Sequence, residues 1–500
     1  MSGVAHSESC PMQGRTQPMS VNLKLHRRVL GRRRIGLMVV LVASVVGAYA
    51  SSARAQQTLP TRSDYGVWLH KYLDAKPTFK PGDVLTQKDI ERIRPFVPPG
   101  YIEQLDFPEM RMEIAAPEDH TPRQDYMGCT EKYQSQVRLG PDGELLNYVC
   151  GQPFSDSLEA SDPMAGFKAA WNYEWRWQNF GLACYTLPWI WVRFGGSHSP
   201  FDIEKDVSWD TGTNFTGALP DTAQIAQMFG GGGTFQRILQ STYQRVYFSH
   251  LAPMVDNGEL LPVPDAKEFE FKEFTGFFDP FDIRGTAFIV YRYADPRRQD
   301  DAWAYLPVLR RVRRISVEVK SDSLLGTDHT LEDFYGFSGR ILEWKWKFLG
   351  WKDMLAVMSS KYDYAHYYGP NGIVPNDRWE VRRFAVVERI PTIQRHPYSS
   401  AIDFWDAQNW DTSYLIAFDH SQKLWKIFQF TKVWSEDFKD PDLQRINKGV
   451  RATDFQTIAV MDLQNHRATL NPIYGLGFPD VTAKHVEKLY DVSSLEQIHR

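Results

Sequence analysis

The sequence predicts a mainly β fold with some α, built on a large curved antiparallel sheet. Residues 286–293 and 302–319 read as two arms of a hairpin around a polar turn, and apolar side chains alternate along both arms. A period of two is typical of a sheet with one apolar face. Residues 414–418 and 423–430 repeat the pattern around a second turn. With 43% hydrophobic and 14% aromatic residues, the chain can build a large core.

The N-terminus predicts a secretory signal peptide over residues 1–55. Basic residues precede the apolar stretch 35–50, whose length of about 16 residues falls short of the ~20 that a membrane-spanning helix needs. Ala53 and Ala55 supply the small residues that signal peptidase requires, so we expect cleavage after Ala55. A retained membrane anchor is the alternative. The expected product is one periplasmic domain, residues 56–500.

Local signals predict the first elements of that domain. A helix should run from Gln87 to Arg94, because Thr86 and Asp89 form a capping-box pattern and Pro95 breaks the helix. Short alternating segments predict strands at 110–114, 134–139 and 145–149. Residues 164–180 are open to either a helix or a strand, since their aromatic spacing is closer to 2 than to 3.6.

Three cysteines remain after cleavage. Cys129 and Cys150 flank a predicted hairpin turn at 140–143. They either form a disulfide with each other or remain free thiols. Regular pairing around that turn would set Cys150 opposite Tyr133, and the bridge therefore requires a bulge or a loop. Cys184 lies in an apolar context and is expected to pack as a small hydrophobic residue.

Charge and motif content argue against several classes of function. A formal net charge of -4 disfavours a nucleic-acid partner. The histidines are scattered without metal-ligand spacing, and residues 336–340 place Arg340 where a serine nucleophile elbow needs glycine. Residues 230–233 lack the Lys-Ser/Thr of a phosphate loop and indicate a turn or lid. We therefore expect no cofactor, no metal and no enzymatic activity; a glycoside hydrolase with paired carboxylates is a remaining alternative.

Residues 293–316 resemble the signature segment of the bacterial family called domain of unknown function 1329. Shorter matches lie in order along most of the mature chain. Two precede this segment, at 82–86 and 147–154, and three follow it, at 326–334, 396–399 and 424–425. That family is similar, in its central strands, to periplasmic proteins that sort outer-membrane lipoproteins. The resemblance implies a half-open, lipoprotein-carrier-like barrel whose concave face holds acyl chains. It also implies binding or transport of a lipid or other hydrophobic ligand.

The central hairpin carries the candidate ligand groove. Its predicted lining residues are Ile289, Tyr291, Tyr293, Trp303 and Tyr305. A curved sheet with one apolar face and no closing strand leaves a groove suited to an apolar ligand. Alternatively, these side chains are ordinary core packed beneath a helix.

A basic run follows the groove residues. The candidate headgroup contacts are Arg310, Arg311, Arg313 and Arg314. Guanidinium groups match phosphate oxygens, although these arginines could instead form salt bridges with Asp295, Asp300 and Asp301. The expected partners are a lipid or hydrophobic small molecule, an envelope transporter, and a membrane in transient contact. An envelope adaptor that docks an exporter through its aromatic side chains is the alternative function.

Overall fold

A computed structural model describes residues 58–195, 234–252, 261–315 and 321–496. The predicted signal peptide, its cleavage site and the loop 230–233 lie outside the described residues. From Leu59 onward the chain forms one compact unit. Within the described ranges, no helix combines the length and the apolar character needed to cross a membrane.

The described residues contain six α-helices. They are α1 (Arg62–Tyr72), α2 (Ile90–Ile93), α3 (Gln124–Tyr133), α4 (Ala165–Glu174), α5 (Pro441–Asn447) and α6 (Ala483–Leu489). The predicted helix at 87–94 is present as a 3-10 turn at Gln87–Asp89 followed by α2. The Thr86 amide donates to Asp89 Oδ2 at 2.9 Å, the contact that a capping box requires.

Strands make up most of the regular structure. They are β1 (Val84–Thr86), β2 (Arg111–Ala115), β3 (Arg138–Leu139), β4 (Leu145–Leu146), β5 (Gly181–Arg193), β6 (Thr234–Tyr247), β7 (Phe269–Asp279), β8 (Ala287–Tyr293), β9 (Asp301–Leu306), β10 (Arg311–Ile315), β11 (Trp344–Ala356), β12 (Tyr367–Tyr368), β13 (Val374–Pro375), β14 (Arg378–Pro391), β15 (Ser400–Asp406), β16 (Thr412–Phe418), β17 (Leu424–Trp434), β18 (Thr453–Asp462), β19 (Arg467–Pro472) and β20 (Tyr474–Gly477).

One sheet joins 16 of these strands in the order β1-β2-β14-β15-β16-β17-β18-β19-β5-β6-β7-β8-β9-β10, while β11 pairs with β14 and β20 with β5. Every pairing in it is antiparallel except that of β2 with β14. The edge strands β1 and β10 do not pair with each other within the described ranges. Bulges interrupt the register of β5 with β6, β6 with β7 and β7 with β8, and bulges bend a strand. The predicted mainly β fold with a half-open antiparallel sheet is confirmed.

The second arm of the predicted central hairpin is two strands rather than one. The first arm is β8, but the stretch expected to continue from 302 to 319 turns back after Leu306 and returns as β10. Pro307 causes the break, because it has no amide hydrogen to donate to a strand. The Leu309 amide closes the turn onto the Leu306 carbonyl at 2.9 Å. Residues 316–319 lie outside the described ranges.

The region around the disulfide also differs from the prediction. Residues 134–136 form a 3-10 turn, and the hairpin is limited to β3 and β4. Cys129 lies on α3, so hairpin register does not govern its position. Cys129 and Cys150 form a disulfide across a Cα–Cα distance of 5.6 Å. The chain thus needs no bulge to bring these two sulfur atoms together.

Residues 164–180 take the helical alternative over α4. Trp171 and Tyr173 are buried in α4, in a cluster that includes Trp346 of β11. Gly166 lets the helix approach that strand closely, because a Cβ there would stand 2.4 Å from the Trp346 carbonyl carbon. Tertiary packing, rather than aromatic spacing, therefore decides the structure of this segment.

Candidate functional site

The five predicted groove residues share one side of the sheet. Ile289 is opposite Trp303, and Ala287 is opposite Tyr305. Phe269 of β7 joins them, because it is opposite Tyr293 and its ring centre lies 5.3 Å from those of Tyr291 and Tyr293. Tyr291 and Trp303 pack edge to face at 4.8 Å. We call this surface the aromatic face; it consists of Phe269, Ile289, Tyr291, Tyr293, Trp303 and Tyr305.

The opposite side of the same strands is charged and buried. Arg245 contacts Glu273, and Arg292 Nη2 lies 2.9 Å from Asp300 Oδ2. Arg340 Nη1 approaches the other oxygen of Asp300 at 2.8 Å. Buried charges of this kind need their partners. Farther along the strands, the same side carries Phe277, Phe288 and Ala304, which are buried in a second apolar cluster. Both sides are therefore covered, and the aromatic face is the side that residues near the C-terminus cover.

The chain's own C-terminal segment covers the aromatic face. Val486, Tyr490 and Leu495 are buried in the same apolar cluster as the aromatic face. The Tyr291 hydroxyl donates to the Tyr490 carbonyl. We call residues 481–495 the C-terminal cover. The predicted groove is thus not open in this structure, and the alternative of core packed beneath a helix describes its present state.

The cover hides the aromatic face unevenly. Ile289 and Tyr293 are buried, whereas Tyr291, Trp303 and Tyr305 are only partly so. The helix in the cover, α6, has 7 residues and no side-chain hydrogen bond at its N-cap. A helix this short is not stable in water by itself. Packing against the aromatic face must therefore hold it, so whatever competes for that face also competes with α6.

Lys272 brings a positive charge to the aromatic face. It stands opposite Tyr291 on β7, and its Nζ lies 4.1 Å from the Phe269 ring centre and 4.3 Å from that of Tyr291. Burial lowers the pKa of Lys272, although Asp265, Asp491 and Glu268 act in the other direction. Within the described residues no carboxylate oxygen comes within 4.0 Å of its Nζ. Sequence analysis missed Lys272, because a bulge between Phe269 and Phe271 shifts the alternation of β7.

The four candidate headgroup arginines do not converge on the aromatic face. Arg314, opposite Trp303, forms an ion pair with Asp301. Alternation directs Arg311 and Arg313 to the other side of the sheet, and Arg310 lies in the turn. The salt-bridge alternative therefore holds for Arg314 with Asp301. Asp300 instead binds Arg292 and Arg340, as described above.

Two adjoining cavities that sequence analysis did not anticipate meet at Arg176, Trp177 and Gln178. Each encloses about 340 Å³, including space open to solvent. The first has aromatic walls, among them Tyr148 and Trp175. Asp411 and Asp454 line the second, which makes it the place to look for the paired carboxylates of a glycoside hydrolase.

The two carboxylates differ in their ionisation. Burial raises the pKa of Asp454 to about 7. Burial also acts to raise the pKa of Asp411, but Lys432 and Arg176 outweigh it and the net pKa is lowered. Asp411 Oδ2 accepts from Thr453 Oγ1 at 2.5 Å and lies 2.7 Å from Lys432 Nζ. An oxygen held in this way is not free to attack a substrate, so the pair fits a structural charge cluster better than a catalytic one.

The described residues contain no group of three or more His, Cys, Asp or Glu side chains arranged to hold a metal ion.

Comparison with known proteins gives one family and three solved structures. The sequence model of a family described as a protein of unknown function, DUF1329, matches residues 84–230 and 220–475. A Vibrio parahaemolyticus domain named as an outer-membrane lipoprotein-sorting protein is 16% identical, with a TM-score of 0.41, over 67% of this chain and 100% of its own. A DUF1329 protein from Desulfovibrio piger is 14% identical, with the same TM-score and coverage. A LolA superfamily protein from Nitrosomonas europaea is 11% identical, with a TM-score of 0.33, over 62% of this chain and 92% of its own. No curated protein matches the sequence.

Proposed function

Because the chain belongs to the DUF1329 family of proteins of unknown function, we propose its function from its own geometry: it is a non-enzymatic periplasmic carrier that binds a lipid or other hydrophobic ligand on the aromatic face. The observation that carries this proposal is the C-terminal cover. The aromatic surface lies on regular strands, and the segments that cover it, residues 481–495 together with residues from 248–266, are not strands of the sheet. Such a segment can leave and return while the sheet stays folded.

In this proposal the ligand and the cover exchange places. The cover contributes three buried apolar side chains, Val486, Tyr490 and Leu495, and an acyl chain offers the same kind of surface. Burial of apolar area stabilises by roughly 25 cal/mol per Å². A ligand that covers a similar area of the aromatic face therefore restores the burial free energy that is lost when the cover leaves. The free energy of opening weakens the apparent affinity, because the intrinsic dissociation constant is divided by the fraction of protein that is open.

Two features support a periplasmic location. Cys129 and Cys150 form a disulfide, and such bonds persist in oxidising compartments. The N-terminal residues carry the charge and hydrophobicity order of a secretory signal. A carrier in that compartment would move hydrophobic molecules through the aqueous layer between two membranes.

The cover makes the proposal testable by hydrogen–deuterium exchange followed by mass spectrometry. We expect a saturating long-chain fatty acid to speed exchange of the amides of α6 while β8 and β9 keep their protection. Native mass spectrometry of protein taken from its own envelope should show co-purified lipid. Absence of fatty-acid binding at saturating concentration, or binding that leaves exchange of the cover unchanged, would refute the exchange of ligand and cover.

Lys272 is expected to select ligands with an acidic headgroup. Lys272→Met should weaken binding of a fluorescent fatty acid by about tenfold or more, since a hydrogen bond to a charged group contributes ~1.5–3 kcal/mol. Binding of the matching fatty alcohol should change little. Lys345→Met, an exposed lysine on β11, is the control. Equal losses for the acid and the alcohol would show that Lys272 acts through packing alone.

The pH dependence of fatty-acid affinity is expected to follow the protonation of Lys272. Burial holds the pKa of Lys272 below its usual value in the free protein, and a bound carboxylate would raise it again. Fatty-acid affinity should therefore be highest where Lys272 is protonated and fall as pH rises through the lowered pKa. Titration of the Lys272→Met variant should lack this fall.

A further inference from the structure

The end of the sheet beyond β8 and β9 exposes three apolar side chains together. Phe281 lies in the turn between β7 and β8 and is 85% exposed, while Val308 and Leu309, in the turn between β9 and β10, are 90% and 41% exposed. Single exposed apolar side chains are ordinary, but a group of them marks an interaction site. Because these side chains are exposed, they are accessible to a partner.

The strand register places these two turns side by side. Ala287, the first residue of β8, is opposite Gly276 on β7 and opposite Tyr305 on β9. The turn that precedes β8 and the turn that follows β9 therefore leave the sheet at the same end. Neighbouring strands are ~4.8 Å apart, so the two turns are close neighbours at this end of the sheet.

Positive charge follows Val308 and Leu309 along the chain. The acidic residues of the first turn already have partners, since Asp282 lies 2.5 Å from Arg237 and Asp279 lies 3.5 Å from Arg284. Arg310, Arg311 and Arg313 are exposed and have no ion-pair partner among the described residues. Among the described residues of these two turns and β10, positive charge is therefore in excess. We call the set Phe281, Val308, Leu309, Arg310, Arg311 and Arg313 the basic tip.

We propose that the basic tip docks the protein on an anionic lipid surface. Phe281, Val308 and Leu309 enter the interfacial layer, and the arginines bind lipid phosphates, which match the guanidinium geometry. Charge complementarity singles out this partner, because a neutral surface would leave three arginines without counter-charges. The basic tip shares none of its residues with the aromatic face, so docking and ligand binding are separate properties.

Co-sedimentation with lipid vesicles tests the basic tip. The protein should sediment with phosphatidylglycerol vesicles and not with phosphatidylcholine vesicles, and added salt should release it. Val308→Asp should weaken binding about tenfold or more. Val67→Asp, at a 65% exposed valine on α1, is the matched control and should bind as the unmodified protein does.

The arginines are tested in the same assay. Replacing Arg310, Arg311 and Arg313 with glutamine should weaken binding about fivefold for each charge removed. Glutamine at the exposed lysines 345 and 347 controls for net charge and should have a smaller effect. Fatty-acid uptake should stay unchanged in all of these variants, which separates docking from the carrier function.

Failure to sediment with phosphatidylglycerol, equal binding to both vesicle types, or full binding by Val308→Asp would overturn the proposal. Binding to an acidic protein without any binding to vesicles would overturn it in favour of a protein partner.

Discussion

Replacing Tyr305 with aspartate is expected to abolish uptake of a fluorescent long-chain fatty acid while the protein stays folded. Tyr305 lies on the aromatic face, opposite Ala287 and Val312, and is partly exposed. A carboxylate at this position would have to be buried under the acyl chain without a partner, at a cost of several kcal/mol. Uptake should fall by more than about a hundredfold.

Tyr305→Phe is the matched control, because it keeps the ring and removes only the hydroxyl. It should retain most of the uptake. Circular dichroism and the melting temperature should show both variants folded, since β9 is next to the edge of the sheet and Tyr305 is not fully buried. Undiminished uptake by Tyr305→Asp would place the ligand somewhere other than the aromatic face.

Replacing Leu495 with alanine is expected to have the opposite effect and to tighten ligand binding. Leu495 is the last residue of the cover and is fully buried, and Leu→Ala at such a site costs ~2–5 kcal/mol. The variant destabilises the covered state and leaves the aromatic face intact. Apparent affinity should therefore rise, by about fivefold to seventyfold if half of that free energy is lost from closing. Amides of α6 should also exchange faster in the free protein.

Leu443→Ala is the control for this second experiment. Leu443 is equally buried, but it lies on α5 in a different apolar cluster. It should lower the melting temperature without changing affinity for the fatty acid. If Leu495→Ala loosens the cover and leaves affinity unchanged, the cover does not compete with the ligand and serves only to stabilise the fold.

Alternation along the central hairpin was enough to group five of the six residues of the aromatic face from sequence; Phe269 was not among them. Ile289, Tyr291 and Trp303 do share a side, because side chains of neighbouring strands alternate together. The same reasoning failed at Pro307, which was counted as a strand position although it cannot donate a hydrogen bond. An apolar pattern indicates which residues are covered; it does not indicate which segment covers them.

The parts of the site that escaped prediction depend on contacts between distant segments. No local sequence signal predicts α6, whose 7 residues lack a side-chain hydrogen bond at the N-cap. Lys272 reaches the aromatic face only because of the bulge near Phe271. Cys129 lies on α3, a helix that the sequence analysis did not predict, and from there it reaches Cys150. Each of these depends on tertiary packing, which overrides local preference.

The pairing of β5 with β19 has a consequence for biogenesis. Ile190 and Leu470 are partners although about 280 residues separate them along the chain. During synthesis or translocation β5 emerges long before β19, so one edge of the nascent sheet has no neighbour for most of that time. The unpaired backbone groups of an edge strand promote association between chains. Pairings between strands this far apart along the chain also form slowly. The polypeptide should therefore depend on a holding chaperone until its last strands arrive.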